Sequence, residues 1–119
     1  MPTMEAQRAR AARAEVEEFA KRDDQKELKS YCRSNPSLIL YNGLGGAMAF
    51  YRAKAAKNAA YKALVGALEG WAANFLGKVD LLQWVLDQDD PMDVALVTEE
   101  LLKYSAWLKR FAEIKLEGD

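Results

Sequence analysis

After Asp90-Pro91, apolar residues recur at alternating steps of three and four: Val94, Val97, Leu101, Tyr104, Leu108 and Phe111. That spacing lies on one side of a chain only if the chain is α-helical. The result is a packing seam about 26 residues long whose apolar stripe must be covered by other elements. A second periodic stretch, "NAAYKALVGALEGWAANFLG" from Asn58, sets Tyr61, Leu64, Val65, Leu68, Ala72 and Phe75 on one stripe, with Gly77 placed to stop the helix. Thr3 is suited to cap a first helix carrying Met4, Ala9, Ala12, Val16, Phe19 and Ala20. Asp23-Asp24 with Glu27 has the form of a capping box for a short second helix through Leu28, Tyr31 and Cys32. Asn35-Pro36 predicts a restart and a third helix to about Lys57, since proline is tolerated in a first turn and disfavours helix just before it. The segment from Asp80 to Leu86 predicts a buried helical turn or two. With 119 residues, half of them hydrophobic, the chain can bury one sizeable core. The expectation is an all-α fold, a compact single-domain bundle of five to six helices over residues 1–119.

The stretch "LYNGLGGAMAFYRAK" (40–54) tests that expectation. A dinucleotide fingerprint needs glycine where Met48 stands, and a strand before it with partners for a parallel sheet. Asn42-Gly43 marks a β-hairpin only between alternating strands, and the sequence downstream is helical. What remains is a helix with small residues at Gly43, Gly46 and Ala47, and again at Ala49, Ala53 and Ala56. Because glycine costs about 1 kcal/mol against alanine inside a helix, these positions imply a close helix–helix approach or a local kink.

Composition removes several chemistries. The chain has no histidine, the usual general base at neutral pH and the commonest metal ligand. Its single cysteine, Cys32, has no disulfide partner and reads as a small core hydrophobe. Asp87, Asp89, Asp90 and Asp93 fail the calcium-loop pattern, with Met92 in place of the required glycine and Thr98 in place of the final Glu. They read as a solvated loop that caps the last helix. An enzyme would need a carboxylate pair such as Glu99 and Glu113 in a pocket. No cofactor and no metal are expected. No apolar run approaches a membrane span, the first residues do not resemble a secretory signal, and a reduced, cytoplasmic setting is expected.

The net charge of −1 hides an asymmetry: residues 1–62 hold twelve basic and seven acidic side chains, the remainder five basic and eleven acidic. Lys54, Asn58 and Lys62 fall four apart, with Arg52 and Lys57 nearby, forming a positive ridge if the helix is continuous. On the last helix Lys103, Trp107, Arg110 and Ile114 make a stripe of one large aromatic and two cations beside the apolar seam. That composition suits a protein interface or an RNA-facing edge.

"NGL" (42–44), "AFYRAK" (49–54), Tyr61 with Leu64, Leu68 and Trp71, and "WLKRFAE" (107–113) together resemble the small helical subunit of the Cmr complex, the type III-B CRISPR RNA-silencing effector. The resemblance runs from about Leu38 to Glu113. It implies a non-catalytic subunit that stacks in several copies beside the large subunit and a backbone-forming subunit, along the path of the guide and target RNA. It carries a positive surface onto Arg52, Lys54, Lys109 and Arg110. Lys57, Lys62 and Lys103 come from the residue pattern alone. The expected RNA-binding set is Arg52, Lys54, Lys57, Lys62, Lys109 and Arg110; the expected partner interface is Gly43, Gly46, Lys103, Trp107 and Ile114. The alternative is a helical protein–protein adaptor without RNA contact.

Overall fold

The seam from Val94 to Phe111 lies on the helix against which most of the others pack. In the computed structural model, which describes residues 2–119, five helices follow one another: α1 (Met4–Phe19), α2 (Gln25–Ala55), α3 (Ala59–Leu76), α4 (Leu81–Asp87) and α5 (Pro91–Lys115). No strand occurs among the described residues. Helix α5 packs against α1, α2 and α3, and α4 packs on α2. Val97, Leu101, Tyr104 and Leu108 are buried, while Val94 and Phe111 at the ends of the seam are half-buried. From α3, Leu64, Val65, Leu68, Trp71 and Ala72 enter the same core. The Trp71 ring stacks on Tyr104 at 5.3 Å between centroids, with 4° between planes.

Several start and stop signals act as their chemistry requires. Thr3 Oγ1 accepts from the Ala6 amide at 3.1 Å, and Asn58 Oδ1 accepts from Ala60 and Tyr61 at 2.9 and 3.1 Å. Gly77 ends α3 at φ 76°. Asp90 caps α5 through the Met92 amide at 2.9 Å, with Pro91 in the first turn. The capping box at Asp23-Asp24 does not form. Asp24 precedes α2 without a side-chain cap, because Arg22 holds its carboxylate through two bonds of 2.8 Å. The guanidinium beside it keeps the Asp24 carboxyl below its usual range.

The largest departure from expectation lies in α2. There is no break at Asn35-Pro36: the helix runs through Pro36, and the non-helical residue is Gly43, at φ 75° and ψ 165°. The Asn35 side chain is fully buried, donating through Nδ2 to Ser105 Oγ at 2.7 Å and accepting from the Tyr51 hydroxyl at 2.6 Å. These two bonds hold Asn35 in helical geometry against the preference that proline imposes on its predecessor. They also fix the shape of α2. Residues 35 and 51 would stand about 24 Å apart along a straight helix, beyond the reach of a tyrosine and an asparagine side chain, so the chain doubles back at Gly43. A straight helix of this length would extend about 46 Å, longer than the 41 Å of the molecule's greatest dimension. Element α2 is therefore a helical hairpin, with arms 25–42 and 44–55.

The close approach expected of the glycines falls on Gly45, where an added Cβ would lie 3.2 Å from Val85 Cγ1 of α4. Gly46 is exposed, and a Cβ there would meet only Asn42 of its own hairpin at 3.3 Å. Gly43 is exposed with open space around it, so its requirement is conformational and not spatial. Gly43→Ala should therefore destabilise the protein by about 1–3 kcal/mol through backbone strain alone. Gly70→Ala, helical, exposed and equally open, should stabilise it by about 0.5–1 kcal/mol. Thermal melts of the two variants should move in opposite directions, and a Gly43→Ala melt equal to wild type would contradict the hairpin geometry.

Candidate functional site

The hairpin brings its second arm back beside its first, which sets Lys54 and Lys57 next to Tyr31. Because α2 ends at Ala55 and Asn58 is the cap of α3, Lys54, Asn58 and Lys62 do not lie on one continuous helix. The expected positive ridge is divided between two grooves on either side of the α2–α3 corner. One, of about 570 Å³, is lined by Tyr31, Ala53, Lys54, Lys57, Asn58 and Tyr61. The other, of about 590 Å³, is lined by residues that include Arg52, Lys62, Gly66 and Glu69.

The two grooves differ in charge. Arg52 is bound to Asp80, a contact that ties the end of α2 to the start of α4 and holds the Asp80 carboxyl below its usual range. Glu69 accepts from the Leu81 amide at 2.8 Å. The groove of Arg52 and Lys62 thus carries carboxylate as well as cation. Among the described residues, Lys54, Lys57 and Lys62 make no ion pair, and the Lys54–Lys57 groove contains no acidic side chain. Its wall is aromatic. Tyr31 and Tyr61 stack face to face at 3.8 Å with 12° between planes, and Phe50 meets Tyr61 edge-on at 6.0 Å. Lys54 Nζ lies 5.6 Å from the centre of the Phe50 ring. Burial, then the neighbouring Tyr31, pushes the Tyr61 hydroxyl above its usual pKa, so the Tyr61 ring remains neutral at physiological pH.

A third groove, of about 300 Å³ between α1 and α5, gathers Lys103, Trp107 and Arg110 with Glu5 and Arg8. The Arg110 guanidinium stands 5.2 Å from the Trp107 ring centre, and Lys103 pairs with Glu99 at 3.3 Å. Arg8 is committed elsewhere: it holds Glu100 through bonds of 2.6 and 2.7 Å, and the Trp71 indole donates to the same carboxylate at 3.0 Å. Ile114 is outside this groove, 74% exposed. Lys109, exposed like Arg110, lies beside the Arg33–Glu113 pair, away from the α2–α3 corner. The expected RNA-binding residues therefore form no single surface: Lys54 and Lys57 share one groove, Arg52 and Lys62 another, and Arg110 lies in the third. The contribution of Tyr31 was missed in the sequence because its partner is thirty positions away and no local pattern joins them.

The remaining candidates for chemistry are dispersed. Glu99 and Glu113 lie on one helix about 21 Å apart, each in its own ion pair. Cys32 is fully buried, and burial pushes its thiol up to about 12, so it stays protonated.

These surfaces can be set beside known proteins. A model of the family "CRISPR-associated protein (Cas_Cmr5)" matches residues 4–115. The chain belongs to this family. Its fold is similar to the crystal structure of a CRISPR-associated Cmr5 family protein from Thermus thermophilus, with a TM-score of 0.84 and 29% identity over 98% of this chain and 100% of that one. Membership of the Cmr5 family makes the chain a subunit type of the type III-B CRISPR effector, and among the described residues no helix is long and apolar enough to cross a membrane.

In this member of the Cmr5 family, the Arg8–Glu100–Trp71 cluster fastens α1 and α3 to α5 beside the Trp107 groove. The hydrogen bonds from Arg8 hold the Glu100 carboxyl below its usual range. A carboxylate with a depressed folded pKa contributes stability above its unfolded pKa and loses it as pH falls through the folded one. Glu100→Gln should thus cost about 2 kcal/mol at neutral pH, since Arg8 is largely buried and loses its counter-charge. It should also flatten the acid limb of the stability curve below the ordinary carboxylate range. Chemical denaturation at a series of pH values measures both, and parallel curves for variant and wild type would contradict the assignment.

Proposed function

We propose that this chain is a non-catalytic structural subunit of a cytoplasmic type III-B CRISPR effector acting in antiviral defence. In this reading it stacks in several copies beside the large subunit and a backbone-forming subunit, and lines the guide–target RNA path with a positive surface. The observation that carries the RNA contact is the pair of cations Lys54 and Lys57, free of ion pairs in a groove with no carboxylate. With a net charge of −1 the chain attracts nucleic acid only where cations are concentrated. Each copy therefore makes few phosphate contacts, and several copies along one RNA multiply them through effective concentration. Lys62, on the neighbouring groove, extends the same corner.

The protein contacts fall on a different side of the hairpin in this proposal. Gly43 and Gly46 are exposed at the turn of α2, next to Leu40 and Tyr41, which are 65% and 83% exposed. Such a surface, small residues flanked by bare apolar ones, suits a neighbouring subunit. The stripe of Lys103, Trp107 and Ile114 offers a second contact, with Trp107 as a half-buried aromatic anchor.

Changing Lys54, Lys57 and Lys62 together to Glu should leave folding intact, because exposed lysines contribute little to stability. In complexes reconstituted with the variant, target RNA should be held more weakly, and the slope of log affinity against log salt should be shallower by roughly two. Filter binding over a salt series tests this. Equal affinity and equal slope for variant and wild-type complexes would remove this corner from the RNA path.

A further inference from the structure

We propose that the groove formed by Tyr31, Lys54, Lys57 and Tyr61 is a site for an unpaired nucleotide, its base lying against the aromatic wall and its phosphate meeting the two ammoniums. This rests on the RNA-facing reading above and adds which part of the nucleic acid the groove holds. Lysines alone are satisfied by the backbone of any duplex, whose bases are stacked inside and cannot reach a protein ring. The groove supplies something a duplex has no use for. Tyr31 and Tyr61, stacked at 3.8 Å, present their combined edges along one wall. Phe50, 40% exposed and edge-on to Tyr61, continues the aromatic surface beneath Lys54. A base has a π-face that packs on such a wall whatever its sequence, while ammonium groups beside the wall suit the attached phosphate. About 570 Å³ leaves room for a nucleotide.

The neighbouring grooves lack one component or the other. The groove of Arg52 and Lys62 has no aromatic lining, contains Glu69, and loses Arg52 to Asp80. The groove of Trp107 has an aromatic ring, but Glu5 lines it, Arg8 is bound to Glu100, and Arg110 already occupies the indole face. Only at the α2–α3 corner do a carboxylate-free lining, free cations and several rings coincide.

The test uses the full chain and a short single-stranded oligoribonucleotide containing 2-aminopurine, whose fluorescence falls when the base stacks. Addition of the chain at low salt should quench it. The same oligomer with abasic sugars should bind about tenfold more weakly, equivalent to about 1.4 kcal/mol. Tyr61→Leu should abolish the quench and Tyr61→Phe should retain it, with circular dichroism checking that each variant folds. If Tyr61→Leu unfolds, the comparison of abasic and base-bearing oligomers on the wild-type chain decides alone. Equal affinity for the two oligomers with salt dependence preserved would overturn the base site and leave the phosphate contact standing. No binding of either would overturn the site, the RNA-facing reading being judged separately by the triple lysine variant in the complex. A Tyr61→Leu chain that binds the oligomer normally but no longer joins the complex would show the groove to be a protein contact, and would equally overturn the proposal.

Discussion

The shape of this protein depends on one buried amide. Asn35 has no access to water, so its Nδ2 and Oδ1 must find partners inside the protein. Ser105 on α5 and Tyr51 on the far arm of α2 satisfy them. These bonds do three things together: they keep the helix intact through Pro36, close the two arms of α2 on each other across Gly43, and register the hairpin against the central seam of α5. Apolar burial supplies most of the stabilisation in such a bundle, but it is not directional. The Asn35 node selects one arrangement of the same greasy surfaces. Burial raises the hydroxyl pKa of Tyr51, so it remains the donor that Asn35 Oδ1 requires.

Function follows from that geometry. Tyr31 stands on the first arm of the hairpin and Lys54 on the second, and without the reversal at Gly43 they would be separated by most of the length of the molecule. Doubling back also brings the end of α2 into line with the start of α3, which adds Tyr61 to Tyr31. The corner so formed is the only part of the three cationic grooves where lysines are left free of carboxylates. Elsewhere the cations serve the fold: Arg22 holds Asp24, Arg8 holds Glu100, Arg33 holds Glu113 and Arg52 holds Asp80. The division of labour follows side-chain chemistry, since arginine's fork suits the bidentate grip of a carboxylate, whereas the free lysines keep a mobile point charge. In a Cmr5 family member, a corner of this kind is where a stacked assembly can meet nucleic acid without weakening the fold that supports it.

Much of the architecture was legible in the sequence because it is encoded locally. Thr3, Asn58 and Asp90 cap the helices they precede, Gly77 ends α3, and the spacing of Val97, Leu101, Tyr104 and Leu108 fixes the buried side of α5. What could not be read depends on contacts distant in sequence. Pro36 signals a restart by local rules, and only Ser105 and Tyr51 overrule it. Asn42-Gly43 does mark a chain reversal, but one between helices, so the absence of flanking strands concealed it. The ridge of Lys54, Asn58 and Lys62 assumed a continuous helix, and the corner at residues 56–58 divides it. The aromatic pair of Tyr31 and Tyr61 carries no local pattern, and neither do the partners that remove Arg52 and Arg8 from the free cations.

The central claim is that the reversal at Gly43 builds a lysine–tyrosine corner that faces RNA. Ultraviolet crosslinking of target RNA to the assembled effector, with the crosslinked peptides of this chain identified by mass spectrometry, measures that directly. The account predicts crosslinks on Tyr31, on Tyr61 and within residues 53–58. Crosslinks confined to the Trp107 groove or the acidic loop at residues 87–93, with none at the corner, would contradict it.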